Sequence, residues 1–409
     1  MPREFLGANA SEHDVFLQNP MRSPFVGARP EKFQNMFVET AEFRPSPAAS
    51  FGNSFTFEPQ RTCDLMGKIE LKLTLGALSS SGASGLYPRM PDYWPYHVIS
   101  LVRIYWSSNH LQFLTGLQMY ILQAVTRITE NNIEEMVAGG LQDSPSQRYV
   151  NGQSSQTVYM PIPAFWTKAL NTYLPYNSRN IRQPISIEIT ANSLDNVMET
   201  NGTTTSASLT AVLKVEQIFL VGSGQQMVEQ EIRSRNADLD VAGYARMIAT
   251  YERQTKTVAN STDEQNLVID TLRRPCPWYL FVVRQDSDIA TGIQSSRNAF
   301  GFQEISQHSM EALGRTVVPA KDHLYNKYHE MGKWFSADPS ENIYGHSFSY
   351  ASESPHVALG YLNFNAISQP QVNLTMPSTW ATTGKADFIM QTYNIYVLSD
   401  TGDLRVMFS

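Results

Sequence analysis

The chain has 409 residues, of which 42% are hydrophobic and 17% charged, with a formal net charge of −7. At roughly 100–200 residues per domain this length implies two domains or three, and a charged share below the usual ~25% fits either a large core or a surface covered by other protein. The 31 basic and 38 acidic residues form no run of five or more like charges, which excludes the basic stripe that direct nucleic-acid binding calls for.

Two cysteines, Cys63 and Cys276, cannot staple a chain of this length, so free thiols in a reducing compartment are expected. Residues Met1–Leu6 lack the apolar stretch of a signal peptide. The longest apolar run, Trp278–Val283, falls far short of the ~18 residues that span a bilayer. The expectation is a protein made and kept in solution, in a cytosol.

In chain order, residues 1–30 are polar and broken by Pro20, Pro24 and Pro30. They read as an arm without a core of its own, either disordered or laid on a neighbour. Strands dominate thereafter. Ile69, Leu71, Leu73 and Leu75 alternate with Glu70, Lys72 and Thr74, a period of two that buries one face. Val98–Trp106 is a more continuous apolar run, as in a strand buried on both faces. Leu111, Leu114, Gln118, Ile121, Leu122 and Val125 fit one face of a helix. Asn131 with Glu134 resembles a capping box, and Gly139 could end that helix. Pro163–Leu170 reads as a further turn or two. Ile185, Ile187 and Ile189 alternate with Ser186, Glu188 and Thr190, and Leu213, Val215 and Ile218–Val221 close the first half.

Residues 223–240 read as a linker, with Gly222-Ser223-Gly224 as a flexible stretch. The second half repeats the style with strands expected at Trp278–Val283, Tyr344–Tyr350, Val372–Met376 and Phe388–Leu398. A duplication is hinted at by Gln183-Pro184 and Gln369-Pro370, each opening a strand that is followed about thirty residues on by an aromatic-aliphatic one. Ser79–Gly85, Asp143–Gln156 and Thr200–Ser208 are polar enough to be exposed loops. Many short strands punctuated by Gly, Pro, Asn and Ser favour sandwiches or barrels.

Candidate chemistry is thin. His323 and His329, six apart and with Glu330 adjacent, raise a metal site; a polar loop between strands is the preferred reading, because no HExxH or HxH occurs. Neither cysteine has a nearby His or second Cys, GxSxG is missing, and Gly222-Ser223-Gly224 lacks the spacing and Lys of a phosphate loop. Asp64, Glu70 and Glu188 lie in or beside strands and are expected to face solvent, so no carboxylate pair for glycoside hydrolysis can be placed. Four sequons, at Asn9, Asn201, Asn260 and Asn373, read as chance matches in a chain without a signal peptide. No catalytic, cofactor-binding or metal residue is assigned, and no cofactor is expected.

Seven segments in order resemble one family, the double jelly-roll major capsid proteins of nucleocytoplasmic large DNA viruses such as iridoviruses and chlorella viruses. They are Thr62-Cys63-Asp64-Leu65-Met66, Tyr96–Arg103 leading to Leu111–Leu122, Pro161–Trp166 with Leu174-Pro175, Leu272-Arg273-Arg274-Pro275 before Val283-Arg284, Ile343–Ser349, Leu362-Asn363-Phe364-Asn365, and Tyr393–Leu398. Cys63 replaces the family's first Gly, and Val357–Gly360 replaces its Pro-Ser-Gly. The resemblance implies an all-β chain of two consecutive eight-stranded antiparallel jelly-roll sandwiches with short helical insertions. The expected layout is an N-terminal arm at 1–30, a first jelly roll at 31–222, a linker at 223–240 and a second jelly roll at 241–409. It further implies a non-enzymatic structural protein whose homotrimers are pseudo-hexagonal capsomers tiling an icosahedral virion shell assembled in host cytoplasm. The partners implied are copies of itself, neighbouring capsomers, vertex (penton) and minor capsid proteins and an internal membrane, without direct nucleic acid. The alternatives are a minor capsid or scaffold double jelly-roll paralogue, or a glycan-binding or hydrolytic double jelly-roll protein.

Overall fold

The computed structural model describes residues 36–407 apart from 82–87, 92, 126–144, 168–171, 178, 180, 199–203, 221–222, 234, 237–240, 271–273, 287–299, 313, 336–340, 350–359, 365–369 and 381. The arm at 1–30, the Asn131–Gly139 helix signal and the sequons at Asn9 and Asn201 lie outside the described residues.

Numbering only the strands on the main paths of the four large sheets, residues 36–220 supply β1 (Met36–Phe43), β2 (Ser54–Phe57), β3 (Thr62–Leu75), β4 (Ile99–Trp106), β5 (Asn109–Thr115), β6 (Gln156–Pro161), β7 (Ile185–Ala191) and β8 (Leu209–Leu220). They form two sheets, in the orders β1-β8-β3-β6 and β2-β7-β4-β5. Residues 244–398 supply β9 (Tyr244–Val258), β10 (Gln265–Val268), β11 (Trp278–Gln285), β12 (Gln307–Ala312), β13 (Arg315–Asp322), β14 (Tyr344–Ser347), β15 (Gln371–Thr375) and β16 (Gly384–Leu398). Their sheets run β9-β16-β11-β14 and β10-β15-β12-β13. The second pair of sheets is therefore the first pair with each strand advanced by eight places. Every adjacent pair is antiparallel. Two four-stranded sheets in this order make a jelly roll, and the chain holds two. Further strands extend the principal sheets: Leu174–Asn177 pairs β3 and Leu404–Val406 pairs β16.

The alternation seen in the sequence drives this arrangement. Ile69, Leu71, Leu73 and Leu75 on β3 and Ile185, Ile187 and Ile189 on β7 are buried between the two sheets of the first roll. Each such side chain contributes roughly 1.5–3 kcal/mol of transfer free energy. The two Gln-Pro steps open β7 and β15, which occupy the same place in the two rolls.

Several elements differ from the sequence reading. Leu111 and Leu114 sit on β5; the helix, α2, spans only Gly116–Val125. Thr115 caps it: the Gln118 side chain accepts from the Thr115 N–H at 2.9 Å, and the Gln118 N–H donates to Thr115 Oγ1 at 3.3 Å, a capping box one turn later than the apolar spacing implied. The stretch Val98–Trp106 is not one strand buried on both faces. Val98 ends the short helix α1 (Trp94–Val98), and on β4 the buried Val102, Ile104 and Trp106 alternate with half-buried Arg103 and Tyr105. Pro163–Leu170 holds a turn at Ala164–Thr167, closed by a bond of 3.1 Å from the Thr167 N–H to the Ala164 carbonyl. Within the loop expected at Asp143–Gln156, Pro145–Gly152 forms helix α3. The polar stretches Ser79–Ser81 and Thr204–Ser206 are zipped together as a two-stranded ribbon. Ser223–Arg233 of the linker is a helix, so Ser223 and Gly224 of the expected flexible stretch belong to regular structure.

The core of the first roll runs on into the joint between the rolls. The interior of the second roll, with Tyr279, Phe281, Val283, Phe388 and Met390, is an apolar cluster of its own. Trp278, Leu280, Val282 and Ile389, on the opposite face of the same sheet, belong to the cluster that fills the first roll. The β9-β16-β11-β14 sheet is thus buried on both faces, which explains why Trp278–Val283 shows no polar alternation.

Candidate functional site

The most elaborate polar arrangement among the described residues lies in the joint between the rolls. Asp387 of β16 is opposite Thr255 of β9 and Val282 of β11, so its side chain faces the joint together with Arg253 and Arg284, two places along the flanking strands. Arg253 donates through Nε and Nη2 to Oδ1 at 3.1 and 2.7 Å. Arg284 donates through Nε and Nη2 to Oδ2 at 3.2 and 2.6 Å. The Thr255 hydroxyl adds a bond of 2.6 Å to Oδ1. Asp387 is fully buried. Burial alone would raise its pKa, but the Arg284 and Arg253 guanidiniums and the hydrogen bonds hold it below the usual carboxylate range.

The cluster reaches into the first roll. Arg253 Nη1 donates to Oγ1 of Thr115, the cap of α2, at 3.2 Å. Around it, Tyr120 of α2 packs on Phe300 and Phe302 at 4.8 and 6.1 Å, and Phe165 on Tyr396 at 5.7 Å. The Arg182 N–H donates to the Gly402 carbonyl at 3.1 Å. Almost all of α2 is buried, as a helix hydrophobic all round must be. A Cβ on Gly116 would stand 2.0 Å from the Tyr96 carbonyl oxygen, so only glycine lets α2 leave β5 this close to α1.

A second polar group lies in the second roll. β13 is followed by a π-helical turn at Tyr325–Glu330, which runs on into α4 (Met331–Phe335). Tyr279 Oη and His308 Nε2 are 2.8 Å apart in the core. Burial there lowers the His308 pKa to about 4, keeping the ring neutral. Glu330 accepts from Trp334 Nε1 at 2.7 Å and pairs with His346 Nδ1 at 3.1 Å.

The residues singled out in the sequence are dispersed. His323 bonds the Tyr344 hydroxyl at 2.8 Å, whereas His329 is exposed, its ring centroid 4.5 Å from that of Tyr325 and tilted 41° to it. Among the described residues no three His, Cys, Asp or Glu side chains gather as metal ligands. Both cysteines are buried and free; burial pushes the Cys63 thiol up to about 12 and raises Cys276. Asp64 does not face solvent as expected. It is buried, accepts from the Leu220 N–H at 2.7 Å and receives Gln225 of the linker helix at 3.2 Å. Glu188 pairs with Arg103 at 3.1 Å, and Glu70 is half-buried on β3. Asn260 is exposed, whereas Asn373 is buried in β15. The sequence reading passed over Arg253, Arg284 and Asp387. A lone carboxylate within the apolar run Ala386–Met390 was the available signal.

No protein-family model matches the chain, and no curated protein matches it. Solved structures match along nearly all of it. The PBCV-1 VP54 crystal structure, fitted into a reconstruction of the virophage Sputnik, aligns with a TM-score of 0.73 at 12% identity, over 94% of this chain and 100% of that one. The PBCV-1 capsid quasi-atomic model gives 0.72 at 13% identity over 94% and 100%. The Faustovirus major capsid protein gives 0.72 at 10% over 96% and 95%. At such identities the likeness is one of fold: this chain has the double jelly-roll architecture found in viral major capsid proteins.

Proposed function

We propose that this chain is a structural capsid protein whose homotrimers are pseudo-hexagonal capsomers of an icosahedral virion shell. The observation that carries the reading is the repeat within one chain: two rolls of identical strand order, locked by a buried joint. Three such chains around an axis supply six similar sandwiches, and hexagons tile a surface. The true symmetry is threefold, so the contacts between chains are heterologous and close into a ring. Residues 31–222 and 241–409 are the two rolls, 223–240 the connection and 1–30 an arm toward neighbouring copies. The aligned structures, which cover 94–96% of this chain, support the capsid role, as does the Asp387 cluster, whose buried charges tie strands β9, β16 and β11 together. Vertex and minor capsid proteins and an internal membrane complete the set of partners, and assembly takes place in host cytoplasm.

Light scattering on the purified chain tests this directly. A mass near three times 46.0 kDa is expected; a stable monomer at micromolar concentration refutes the capsomer. Particles assembled from it should show hexagonally spaced capsomers in negative stain.

A further inference from the structure

The π-helical turn after β13 is held to the second roll chiefly by polar side chains. The residues it buries are Asn326, Lys327 and Glu330, while Tyr325 is half-buried and Tyr328 and His329 are exposed. Little of the apolar transfer free energy that fixes the strands acts on it; Met331 and Phe335 anchor only α4 behind it. Segments with few buried apolar groups open at the least cost, and π-helical turns are rare and frequent at functional positions.

The polar anchors are specific. Lys327 Nζ donates to Asn342 Oδ1 at 3.0 Å, and Glu330 takes Trp334 and His346 as described above. The buried Asn326 donates through Nδ2 to the Lys321 and Asp322 carbonyls at 2.9 and 2.8 Å, which leaves its Oδ1 as an acceptor facing His308 Nδ1 at 3.5 Å. This network assigns the proton of the neutral ring to Nδ1. Nε2 then carries the lone pair and accepts from the Tyr279 hydroxyl at 2.8 Å.

His308 therefore bridges β11 and the turn as a buried neutral ring, and the elements around it give a second proton poor company. β11 offers Phe281, its ring centroid 4.8 Å away, and a Tyr279 hydroxyl that already donates. β15 offers Leu374 in register, and β13 offers Lys321, whose ammonium lies 4.8 Å from the Tyr325 ring. His346 of β14 opposes a positive charge on the ring. The turn offers Lys327 and one carboxylate, Glu330, which attracts the charge but whose bonds go to Trp334 and His346. Once the turn lifts, water can solvate the ring on every side.

We propose that His308 is a proton-operated latch: protonation of its ring releases residues 324–335 from the second roll while the strands stay folded. The latch acts within one chain and so does not depend on the capsomer reading. Burial holds the closed ring at a pKa of about 4 against the ordinary 6.5. The closed turn is therefore fully favoured above pH 6.5 and loses its advantage as pH falls toward 4. Between pH 7.5 and 5 the ratio of closed to open turn falls about 30-fold. Burial pushes the Glu330 carboxyl up, but His346 and Trp334 together hold it below the usual range, so it stays largely ionised across that window.

Hydrogen exchange read by mass spectrometry on the full chain, corrected for the intrinsic pH dependence of amide exchange, tests this. Peptides over residues 324–335 should lose protection about 30-fold between pH 7.5 and 5, while those over β11 keep theirs. His308→Gln should abolish the pH response, and His346→Gln should retain it. Where His308→Gln fails to fold, the wild-type chain decides alone: no loss at 324–335, or a loss shared equally by β11, overturns the latch. A folded His308→Gln chain with the wild-type response overturns it too.

Discussion

Replacing Asp387 with Asn tests whether the joint is held by charge. The carboxylate accepts five hydrogen bonds, four of them from Arg253 and Arg284. An Asn keeps one accepting oxygen; its amide group then faces a guanidinium, donor against donor, and two cations lose their shared counter-charge. Removing one partner of a buried ion pair costs about 3–5 kcal/mol. At about 2–4 °C per kcal/mol for a domain of this size, the unfolding midpoint should fall on the order of 10 °C. The sign with pH follows from the lowered pKa of Asp387. A depressed carboxylate stabilises the fold above its unfolded pKa of 3.8, and that stability is lost as pH falls through the folded value. The gap between wild type and variant, read by scanning calorimetry, should be constant near neutrality and close only in strong acid. Replacing Arg253 and Arg284 with Met and Asp387 with Leu together should recover most of the loss, since an apolar trio of similar volume needs no counter-charge. An Asp387→Asn protein melting within about 1 °C of wild type at pH 7 would refute the reasoning, given the size of the expected drop.

His308 should govern the acid limb of the second roll. Its folded pKa of about 4 lies below the ordinary 6.5, so stability is complete above 6.5 and is lost as pH falls toward 4. The loss amounts to about 3 kcal/mol, and His308→Gln should flatten that limb in pH-dependent urea melts. Thr115→Ala removes both the cap of α2 and the acceptor for Arg253; a loss of about 1–2 kcal/mol is expected, with Thr115→Ser restoring it in the same melts. Cys63 and Cys276, buried and with raised thiol pKa values, should resist a chromogenic disulfide reagent in the native protein and react stoichiometrically in denaturant.

Much of the fold was legible because a roll writes its interior in alternating residues. Ile69–Leu75 and Ile185–Ile189 were readable strands, and the two Gln-Pro steps marked equivalent strands of the two rolls. The reading failed where regularity fails. Leu111 and Leu114 match a helical spacing only because β5 runs straight into α2; the Thr115–Gln118 box marked the true start. Asp64 was assigned to solvent by alternation, yet the pairing of β3 with the Leu174–Asn177 strand slips between Thr62 and Leu65, and the strict period of two lapses there. The ion cluster at Asp387 was illegible as a cluster, because its members are 31 and 103 residues or more apart in sequence and meet only through register.

The contrast between the two outer faces bears on how such a chain could avoid premature association. The β9-β16-β11-β14 face is apolar, with Trp278, Leu280 and Ile389, and it is covered from the moment the chain folds. The corresponding face of the first roll bears Glu70, Lys72 and Lys214, with Lys214 bridged to Glu42 at 3.5 Å and lying 4.8 Å from the Tyr159 ring. A free face as apolar as the one in the joint would invite indiscriminate association. The exposed large apolar groups of that face are Met36 and Val38 of β1; Phe113, Val150, Val317, Leu324, Tyr328 and Tyr361 are exposed elsewhere on the chain.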